Sequence, residues 1–297
     1  MHRIRLSWTS SLVLACTVLL PVTAPAGPAP SGVARQSSAI ALTSDDGLLV
    51  SVNPDDDSIT VFDVSSDTPA KLDEIKVGKE PNSVAIHPDD TRAYVANTVS
   101  GTVSIVDLDK LKVIDKFRVG TEPMALALSP NGTRLYVANS ASNNLMVFDT
   151  TPDTPQLVAT VDLSPYGTAP RAIAVTNDGD SDDTDETVFV ALFFGQLRPG
   201  KTFLEEGQDD QREGRVVAIS AATNTVLGAP NPIALAPQAV TGFNSNGKLA
   251  GLLAQVPAVA STNPQTFTTP TSAFANQLAA IAIHPVQSRA YVVSTGA

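Results

Sequence analysis

Residues 91–97 read TRAYVAN and residues 133–139 read TRLYVAN, so nearly the same phrase recurs after 42 residues. The recurrence extends in both directions, since VGKEPNSVAIHPDDTRAYVANTVSGTVSIVD (77–107) aligns without a gap with VGTEPMALALSPNGTRLYVANSASNNLMVFD (119–149). Weaker copies lie at 39–63 (AIALTSDDGLLVSVNPDDDSITVFD), from 166 onward (YGTAPRAIAV, TVFVALF, VVAIS) and at 282–295 (AIHPVQSRAYVVST). Self-similarity at such a period indicates a chain built from one repeated structural unit.

Each unit contains four short runs rich in β-branched and aromatic residues, which favour strands. In the second unit the predicted strands are Ser83–Ile86, Ala93–Ala96, Val103–Val106 and Val113–Val119. The connections between them, such as HPDDTR and NTVSGT, are rich in turn-forming residues. Four antiparallel strands in a unit of this length are typical of a propeller blade, so the sequence predicts an all-β fold, a β-propeller of four-stranded antiparallel blades.

The residues that recur once per unit have structural explanations. We expect the apolar side chains of each second strand, such as Tyr94 and Tyr136, to pack between neighbouring blades. Glycines open the loop into each innermost strand, where the chain must bend tightly, and prolines then fix φ; they are Gly78, Gly120, Gly167, Pro81, Pro123 and Pro170. The aspartates that close the third strands, Asp63, Asp107 and Asp149, should accept hydrogen bonds from turn amides.

The combination of GxxP, YVAN and a closing (V/I)(V/F)D resembles the YVTN-type β-propeller repeat family of exported bacterial and archaeal proteins. The match is strong over 77–149, fair over 39–76, 166–235 and 277–297, and absent over 1–36 and 236–276. The resemblance implies the propeller fold. It implies function less narrowly, because the family includes binding proteins, surface-associated proteins, lactonase-like enzymes and relatives of quinoprotein dehydrogenase subunits.

The repeat divides the chain into a linker at 27–36 and a propeller domain at 37–297. We place blades at 37–77, 78–119, 120–165 and 166–235, an insertion at 236–276 and a partial blade at 277–297. About four and a half blades make an incomplete ring, whereas a propeller blade normally buries both faces against its neighbours. We therefore expect the sequence to be a truncated fragment of a longer chain that carries the missing blades.

Residues 1–26 have the features of a secretory signal peptide: Arg3 and Arg5, the apolar run SLVLACTVLLPV (11–22) and the cleavage signal Ala24-Pro25-Ala26. This predicts a secreted, periplasmic or cell-surface protein without a membrane span after cleavage. A retained anchor is the alternative, although the apolar run is short for a span. Cleavage would remove Cys16, the only cysteine. The net charge of -11 argues against nucleic acid as a partner, because binding to phosphates needs clustered Lys and Arg.

One departure from the repeat is the turn between the first two strands of blade four, which lengthens to TNDGDSDDTDE (176–186). Its alternating carboxylates suit a hard cation such as Ca²⁺, which binds oxygen ligands. The candidate calcium ligands are Asp178, Asp180, Asp182, Asp185 and Glu186. The glycine and the distal glutamate of an EF-hand loop are not in register here, and a solvated acidic turn is the alternative interpretation.

A second departure is the link between the middle strands of blade four, FFGQLRPGKTFLEEGQDDQREGR (193–215), the most conspicuous basic and aromatic stretch. In a propeller, such links and blade-to-blade loops emerge on one face. The link should therefore lie beside the insertion at 236–276, with the acidic turn on the opposite face. Loops that form a concavity favour ligand sites. The candidate ligand-binding residues are Phe193, Phe194, Arg198, Lys201, Arg212 and Arg215. The alternative is that these loops are ornamental or make oligomer contacts.

The sequence contains no G-x-S-x-G, H-E-x-x-H, CxxC or haem-attachment motif. His87 and His284 occupy the same AIHP repeat position, which favours a turn role over that of a general base. The sequence therefore favours a non-enzymatic binding or interaction module for a small molecule, glycan or protein partner, with no cofactor expected beyond Ca²⁺. The alternatives are a lactonase-like hydrolase and an accessory subunit of a periplasmic redox system.

Overall fold

The computed structural model describes residues 15–18, 35–202, 211–229, 231–236, 274–284 and 289–294, the first of these ranges as backbone only. Within these ranges every regular element is a β-strand, apart from a 3-10 turn at Pro54–Asp56. The strands form successive antiparallel sheets whose innermost strands lie beside one another in chain order. This is the predicted β-propeller, and its ring is not closed within the described residues.

The strands follow the predicted repeat closely. Two short strands precede the blades: β1 (Ala15–Val18) and β2 (Arg35–Gln36). Blade one contains β3 (Ile40–Leu42), β4 (Leu48–Asn53), β5 (Ser58–Asp63) and β6 (Ala70–Lys76). Blade two contains β7 (Pro81–Ile86), β8 (Arg92–Asn97), β9 (Thr102–Asp107) and β10 (Lys112–Arg118). Blade three contains β11 (Pro123–Leu128), β12 (Arg134–Asn139), β13 (Asn144–Asp149) and β14 (Gln156–Asp162).

The last two blades are less regular. Blade four contains β15 (Thr168–Val175), β16 (Thr187–Leu197) and β17 (Arg212–Ser220), and its fourth strand is split into β18 (Thr225–Val226) and β19 (Ile233–Ala234), which both pair with β17. Blade five contains β20 (Leu278–Ile283) and β21 (Ala290–Ser294), and β1 pairs with β21 in the position of a third strand.

Each blade has two apolar faces that pack against different neighbours. The tyrosine face, toward the next blade, is marked by one second-strand residue per blade: Val50, Tyr94, Tyr136, Phe189 and Tyr291. The leucine face, toward the preceding blade, is marked by two innermost-strand residues per blade: Ile40 and Leu42, Val84 and Ile86, Leu126 and Leu128, Ile173 and Val175, and Ile281 and Ile283. Tyr94 shares a buried cluster with Leu126 and Leu128, and both Tyr94 and Tyr136 are 0% exposed. The predicted packing of these tyrosines between blades is confirmed.

The asparagine that ends the YVAN phrase explains the glycine upstream of it. The side-chain oxygen of Asn97 accepts a hydrogen bond from the Gly78 amide at 2.9 Å, and its Nδ2 donates to Ser104 Oγ at 3.0 Å. A Cβ added at Gly78 would lie 2.5 Å from Cγ of Asn97, and one added at Gly120 would lie 2.6 Å from Cγ of Asn139. These two glycines are therefore required by the close approach of the asparagine, rather than by the tight bend that the sequence suggested.

The aspartates that close the third strands accept turn amides, as predicted. Asp63 accepts from the Ser65 amide at 3.0 Å, Asp107 from the Lys110 amide at 2.8 Å and Asp149 from the Thr151 amide at 2.9 Å. Side-chain hydrogen bonds from the same three partners, together with these amides, hold the pKa of each carboxyl below its ordinary value.

The segment before blade one crosses the inner edges of several blades. β2 pairs antiparallel with β15 of blade four, and the Ser37 amide donates to the Ile173 carbonyl at 2.9 Å. The next carbonyl, of Ser38, accepts from the Val84 amide of blade two at 2.9 Å. Residues 35–38 therefore tie together innermost strands that are not adjacent in the ring. No helix in the described ranges has the length and apolar character needed to cross a membrane.

Candidate functional site

Blade four carries its two departures from the repeat at opposite ends of β15 and β16. Val175 pairs with Val188 at the end where the acidic turn lies, and Thr168 pairs with Phe194 at the other end. We define the insertion face as residues 166–171, 193–202, 211–215 and 274–277. The acidic turn and the basic-aromatic link thus lie on opposite faces, as the loop geometry of a propeller predicts.

The two insertions begin side by side on the insertion face. Phe194 forms an isolated β-bridge with Gln277, and the Gly214 amide donates to the Ala275 carbonyl at 2.5 Å. A Cβ at Gly195 would lie 2.7 Å from Cβ of Asn276. Residues 203–210 of the link and 237–273 of the insertion at 236–276 lie outside the described residues. The described ends nevertheless bring together parts of the chain that are 61 to 83 residues apart in sequence, as a blade-to-blade loop requires.

Three of the predicted ligand-binding arginines make contacts within the protein. Arg215 donates from Nε and Nη2 to Oε1 of Glu213 at 3.2 and 3.1 Å, and from Nη1 to the Tyr166 carbonyl at 3.3 Å. Arg212 donates to the Gly195 carbonyl at 2.9 Å. Arg198 lies over the Phe274 ring at 4.0 Å. Arg198 thus joins the link to the end of the second insertion, whereas these contacts of Arg212 and Arg215 lie within residues 166–215.

The aromatic pair at the end of β16 is more accessible. Phe193 and Phe194 meet edge to face with ring centroids 5.1 Å apart, and Phe194 is 53% exposed. Lys201, the remaining predicted residue, is half-buried and its amide donates to the Arg198 carbonyl at 3.0 Å. The structure therefore gathers all six candidate residues on the insertion face, in two different roles.

A residue that the sequence did not single out completes the aromatic pair. Arg171 lies on the innermost strand β15, half-buried, with its guanidinium 4.5 Å from the centre of the Phe193 ring. Among the described residues its guanidinium makes no hydrogen bond and no ion pair. A signal was available in the repeat, because the equivalent positions in blades two and three hold Asn82 and Met124. The packing that keeps neighbouring positions the same in each blade does not dictate the residue at this position, so it is available for binding.

On the opposite face, three of the five predicted calcium ligands converge. Ligand oxygens of Asp178, Asp180 and Asp185 lie within 4.8 Å of one another, and all three residues are exposed. Burial and the charges of Asp178 and Asp180 raise the pKa of Asp185. This arrangement offers the carboxylate oxygens that a hard divalent cation prefers.

The other two predicted ligands point elsewhere. Asp182 accepts hydrogen bonds from the amide and the hydroxyl of Thr184, at 2.8 and 2.7 Å. Glu186 is 5% exposed and accepts from the Thr176 hydroxyl and, at 3.0 Å, from the Asp178 amide. Burial raises the pKa of Glu186 despite these donors. Both carboxylates thus accept hydrogen bonds from residues of the turn itself and stabilise its conformation.

Asp183 ties the acidic turn to the first turn of blade three. It is 5% exposed and accepts from the Thr133 hydroxyl at 2.5 Å, Ser129 Oγ at 2.7 Å, the Asn131 amide at 2.9 Å and the Thr133 amide at 3.2 Å. Burial alone would raise the pKa of Asp183, but these donors outweigh it and hold the pKa below its ordinary value. The role of Asp183 depends on a neighbouring blade, so sequence spacing could not reveal it.

The two described histidines lie at the same end of their blades as the acidic turn. Nδ1 of His87 is 2.8 Å from Oδ1 of Asp89 within the turn that follows β7. A Cβ at Gly132, in the matching turn of blade three, would lie 2.6 Å from the His87 ring. His284 packs near Tyr291, with ring centroids 6.4 Å apart. For His87 the predicted turn role is confirmed, and neither histidine lies on the insertion face.

Comparisons with known proteins support the propeller fold. The sequence model of the YNCE-like beta-propeller family matches residues 30–174, just under half of the chain. No curated protein matches the sequence. Similar solved structures include candidate 6-phosphogluconolactonases from Bacteroides uniformis (TM-score 0.50, 19% identity, 67% of this chain and 55% of that one) and Bacteroides fragilis (TM-score 0.50, 20% identity, 67% and 55%). A functionally unknown protein from Desulfotomaculum acetoxidans is also similar (TM-score 0.45, 16% identity, 70% and 59%).

At these identities the likeness to the two structures with a TM-score of 0.50 shows the fold alone. The chain spans little more than half the length of the three structures, 55% to 59%. The repeat, the strand order and the family match agree on one architecture. The chain is a β-propeller protein.

Proposed function

We propose that this protein is a binding module whose ligand site lies on the insertion face, around Arg171, Phe193 and Phe194. The proposed ligand is a small molecule with a carboxylate or phosphate group and an apolar or sugar-ring surface. The observation that carries the proposal is Arg171, an arginine of an innermost strand whose guanidinium is stacked on a ring and, within the described part of the chain, donates no hydrogen bond.

The chemistry of the three side chains fits such a ligand. A guanidinium presents a planar fork of donors that matches carboxylate and phosphate oxygens in two parallel hydrogen bonds. Stacking on Phe193 fixes the plane of the fork before the ligand arrives, which reduces the ordering cost of binding. The exposed ring of Phe194 offers an apolar surface beside it. Because the chain is strongly acidic overall, an anionic ligand needs such a local positive site.

The experiment is isothermal titration calorimetry with 6-phosphogluconate, gluconate, inorganic phosphate and glucose as probes. We expect at least one anionic probe to bind and glucose to bind more weakly than its anionic counterparts. Arg171→Ala should weaken that binding about 10- to 100-fold, the value of a hydrogen-bonded charge. Arg118→Ala is the matched control, because Arg118 is exposed on the outer strand β10. Equal binding by both variants, or no binding of any anionic probe, would refute the proposal.

The lactonase-like alternative uses the same face. Two similar solved structures are candidate 6-phosphogluconolactonases, which motivates testing a sugar lactone for turnover. Glu213 is the one carboxylate residue among those that define the insertion face; it accepts a hydrogen bond from Arg215, and its Oε2 is 3.9 Å from Nε of Arg198. Lactone hydrolysis that is lost in Glu213→Gln and retained in Asp182→Asn would establish an enzyme in place of a binding module.

Calcium binding by the acidic turn stays a prediction, supported by the convergence of Asp178, Asp180 and Asp185. A ligand that binds only the folded state raises its stability in proportion to the logarithm of its concentration. We expect Ca²⁺ to raise the melting temperature of the wild type and to have no effect on Asp180→Asn/Asp185→Asn. An equal rise in both proteins would exclude this turn as the site.

Export and cleavage after Ala26 also stay predictions, based on the features of residues 1–26. Cleavage would remove β1 from its pairing with β21. N-terminal sequencing of the protein recovered from the medium or periplasm should begin at Gly27. A protein that keeps Met1 in the cytoplasm would contradict the prediction.

A further inference from the structure

The innermost strands of blades two, three and four share a β-bulge at the same position. In each blade the register with the second strand shifts across one extra residue, and the three extra residues are Asn82, Met124 and Arg171. Each is half-buried, whereas the residues on both sides of it are buried. A bulge re-aims one side chain out of the regular alternation of a strand. Three accessible side chains therefore lie at the same end of three adjacent innermost strands, the end at which the insertion face lies.

In blades two and four the bulged residue contacts the equivalent residue of its own blade. Nδ2 of Asn82 donates to Thr98 Oγ1 at 2.8 Å, and the guanidinium of Arg171 lies 4.5 Å from the centre of the Phe193 ring. Thr98 and Phe193 are equivalent, since each directly follows the residue that pairs with the proline before the bulge. The same contact is thus made by a polar pair in blade two and by a cation and an aromatic ring in blade four.

Blade three places a thioether between these two pairs. Its innermost strand β11 lies between β7 of blade two and β15 of blade four. Thr98, which is 7% exposed, donates to the Pro123 carbonyl at 2.9 Å and lies 3.8 Å from Sδ of Met124. Asn82, Thr98 and Met124 therefore form a continuous row of contacts from blade two to blade three, and Arg171 follows on the next blade.

The hydrogen bonds of Asn82 leave its side-chain oxygen available. Nδ2 donates to Thr98 and, at 3.5 Å, to the Glu80 carbonyl. Within the described part of the chain, Oδ1 of Asn82 accepts no hydrogen bond. Because the contact with Thr98 fixes the plane of the amide, this oxygen is a positioned acceptor. A hydroxyl group of a ligand is a donor that it can accept from.

We propose that Asn82 and Met124 form the second half of the ligand site and select a hydroxylated acid. The acid group binds Arg171, the carbon chain passes over Met124, and a hydroxyl group donates to Oδ1 of Asn82. This inference rests on the proposed function, because it takes Arg171 as the anion site. An acid of the same length without hydroxyl groups would leave Oδ1 of Asn82 without a donor, so Asn82 determines the specificity.

Isothermal titration calorimetry with gluconate and hexanoate tests the inference. Both acids have six carbons and one carboxylate, and only gluconate carries hydroxyl groups. We expect wild-type protein to bind gluconate about 3- to 10-fold more tightly than hexanoate, the value of a net hydrogen bond between neutral groups. Asn82→Leu, which has a similar size and no acceptor, should remove this preference. Gln156→Leu is the matched control and should keep it, because Gln156 is exposed on the outer strand β14.

Two further variants separate this inference from the proposed function. Arg171→Ala should weaken both acids equally, since both carry the carboxylate. Met124→Ala should also weaken both equally, by about 2- to 5-fold, because it removes an apolar contact with the carbon chain. Circular dichroism melts confirm that the variants are folded, and the comparison of the two acids on wild-type protein depends on no variant.

The outcomes are distinct. If neither acid binds, or if Arg171→Ala leaves both affinities unchanged, the proposed function fails and this inference fails with it. If Arg171→Ala weakens both acids, but wild-type protein shows no preference for gluconate or the preference survives Asn82→Leu, the proposed function stands. Asn82 would then lie outside the ligand site, and the inference would be overturned.

Discussion

Blades three and four are built from the same repeat and differ at the ends of their strands. In blade three the turns are short, and the buried residues from Leu126 to Phe148 are those that stacking requires. Blade four keeps the same buried positions, with Ile173 and Val175 on its leucine face, but extends both ends of β15 and β16. Packing between blades thus constrains the buried residues in the middle of each strand. It does not constrain the loops at the strand ends, which can carry binding residues.

The largest expected loss of stability comes from a substitution among the buried residues between blades. Tyr136→Ala in blade three should destabilise the protein by about 3–5 kcal/mol, because it removes a fully buried aromatic ring between two blades. Phe194→Ala at the strand end of blade four should change stability by less than about 0.5 kcal/mol. Urea denaturation measures both values. If Phe194→Ala lowered the free energy of unfolding as much as Tyr136→Ala, residues at the strand ends would be as important for stability as the buried residues between blades.

The next effect concerns the glycine that faces the repeated asparagine. Gly120→Ala should cost about 1–3 kcal/mol, because its new methyl group would lie 2.6 Å from Cγ of the buried Asn139. Gly228→Ala, in blade four, is the control, since a Cβ there meets nothing within 4 Å. If thermal melts gave the two variants the same stability, steric contact with Asn139 would not be the reason for this glycine.

An effect of comparable size is expected at the junction between the two blades. Asp183→Ala should destabilise the protein by about 1.5–3 kcal/mol at neutral pH, because buried donors of blade three lose a charged acceptor. Since the folded-state pKa of Asp183 is depressed, its contribution is present at neutral pH and is lost as the pH falls through the folded pKa. The difference between wild type and Asp183→Ala should therefore narrow in acid. Asp182→Ala, next to it in sequence but exposed, should cost much less.

The smallest effect lies in the acidic turn itself. Burial and neighbouring charges raise the pKa of Asp185, so the protonated form is favoured in the folded state, and stability from this group is lost as the pH rises through the folded pKa. Asp185→Asn should therefore raise the melting temperature slightly at neutral pH in the absence of divalent cations. The gain should vanish at low pH, where wild-type Asp185 is protonated. A lower melting temperature at neutral pH would show that the carboxylate is stabilising.

Much of the fold was predictable from the sequence because the repeat carries local information. The YVAN phrase located the second strands, and the closing aspartates located the turns, since both depend on residues near in sequence. The reason for Gly78 was not predictable, because it depends on the side chain of Asn97 across the sheet. The pairing of β2 with β15 was missed for the same reason, as it joins residues 35–36 to the far side of the ring.

The sequence predicted where the candidate site lies, but not the contacts of its individual side chains. Breaks in the repeat located the insertion face and the acidic turn, and both groups of residues lie where loop geometry puts them. The roles within each group depend on partners in other blades or loops, as with Arg215 and the Tyr166 carbonyl, or Asp183 and Ser129. Arg171 was missed because it lies inside a regular strand, where a repeat position is expected to be structural.

The most direct test of the claim that strand ends of blade four carry the function is amide NMR of the protein titrated with 6-phosphogluconate and the other anionic probes. We expect the largest chemical-shift changes at residues 168–171 and 193–198, and we expect Arg171→Ala to abolish them. Changes confined to residues 176–186, or to the outer strands β10 and β14, would contradict it.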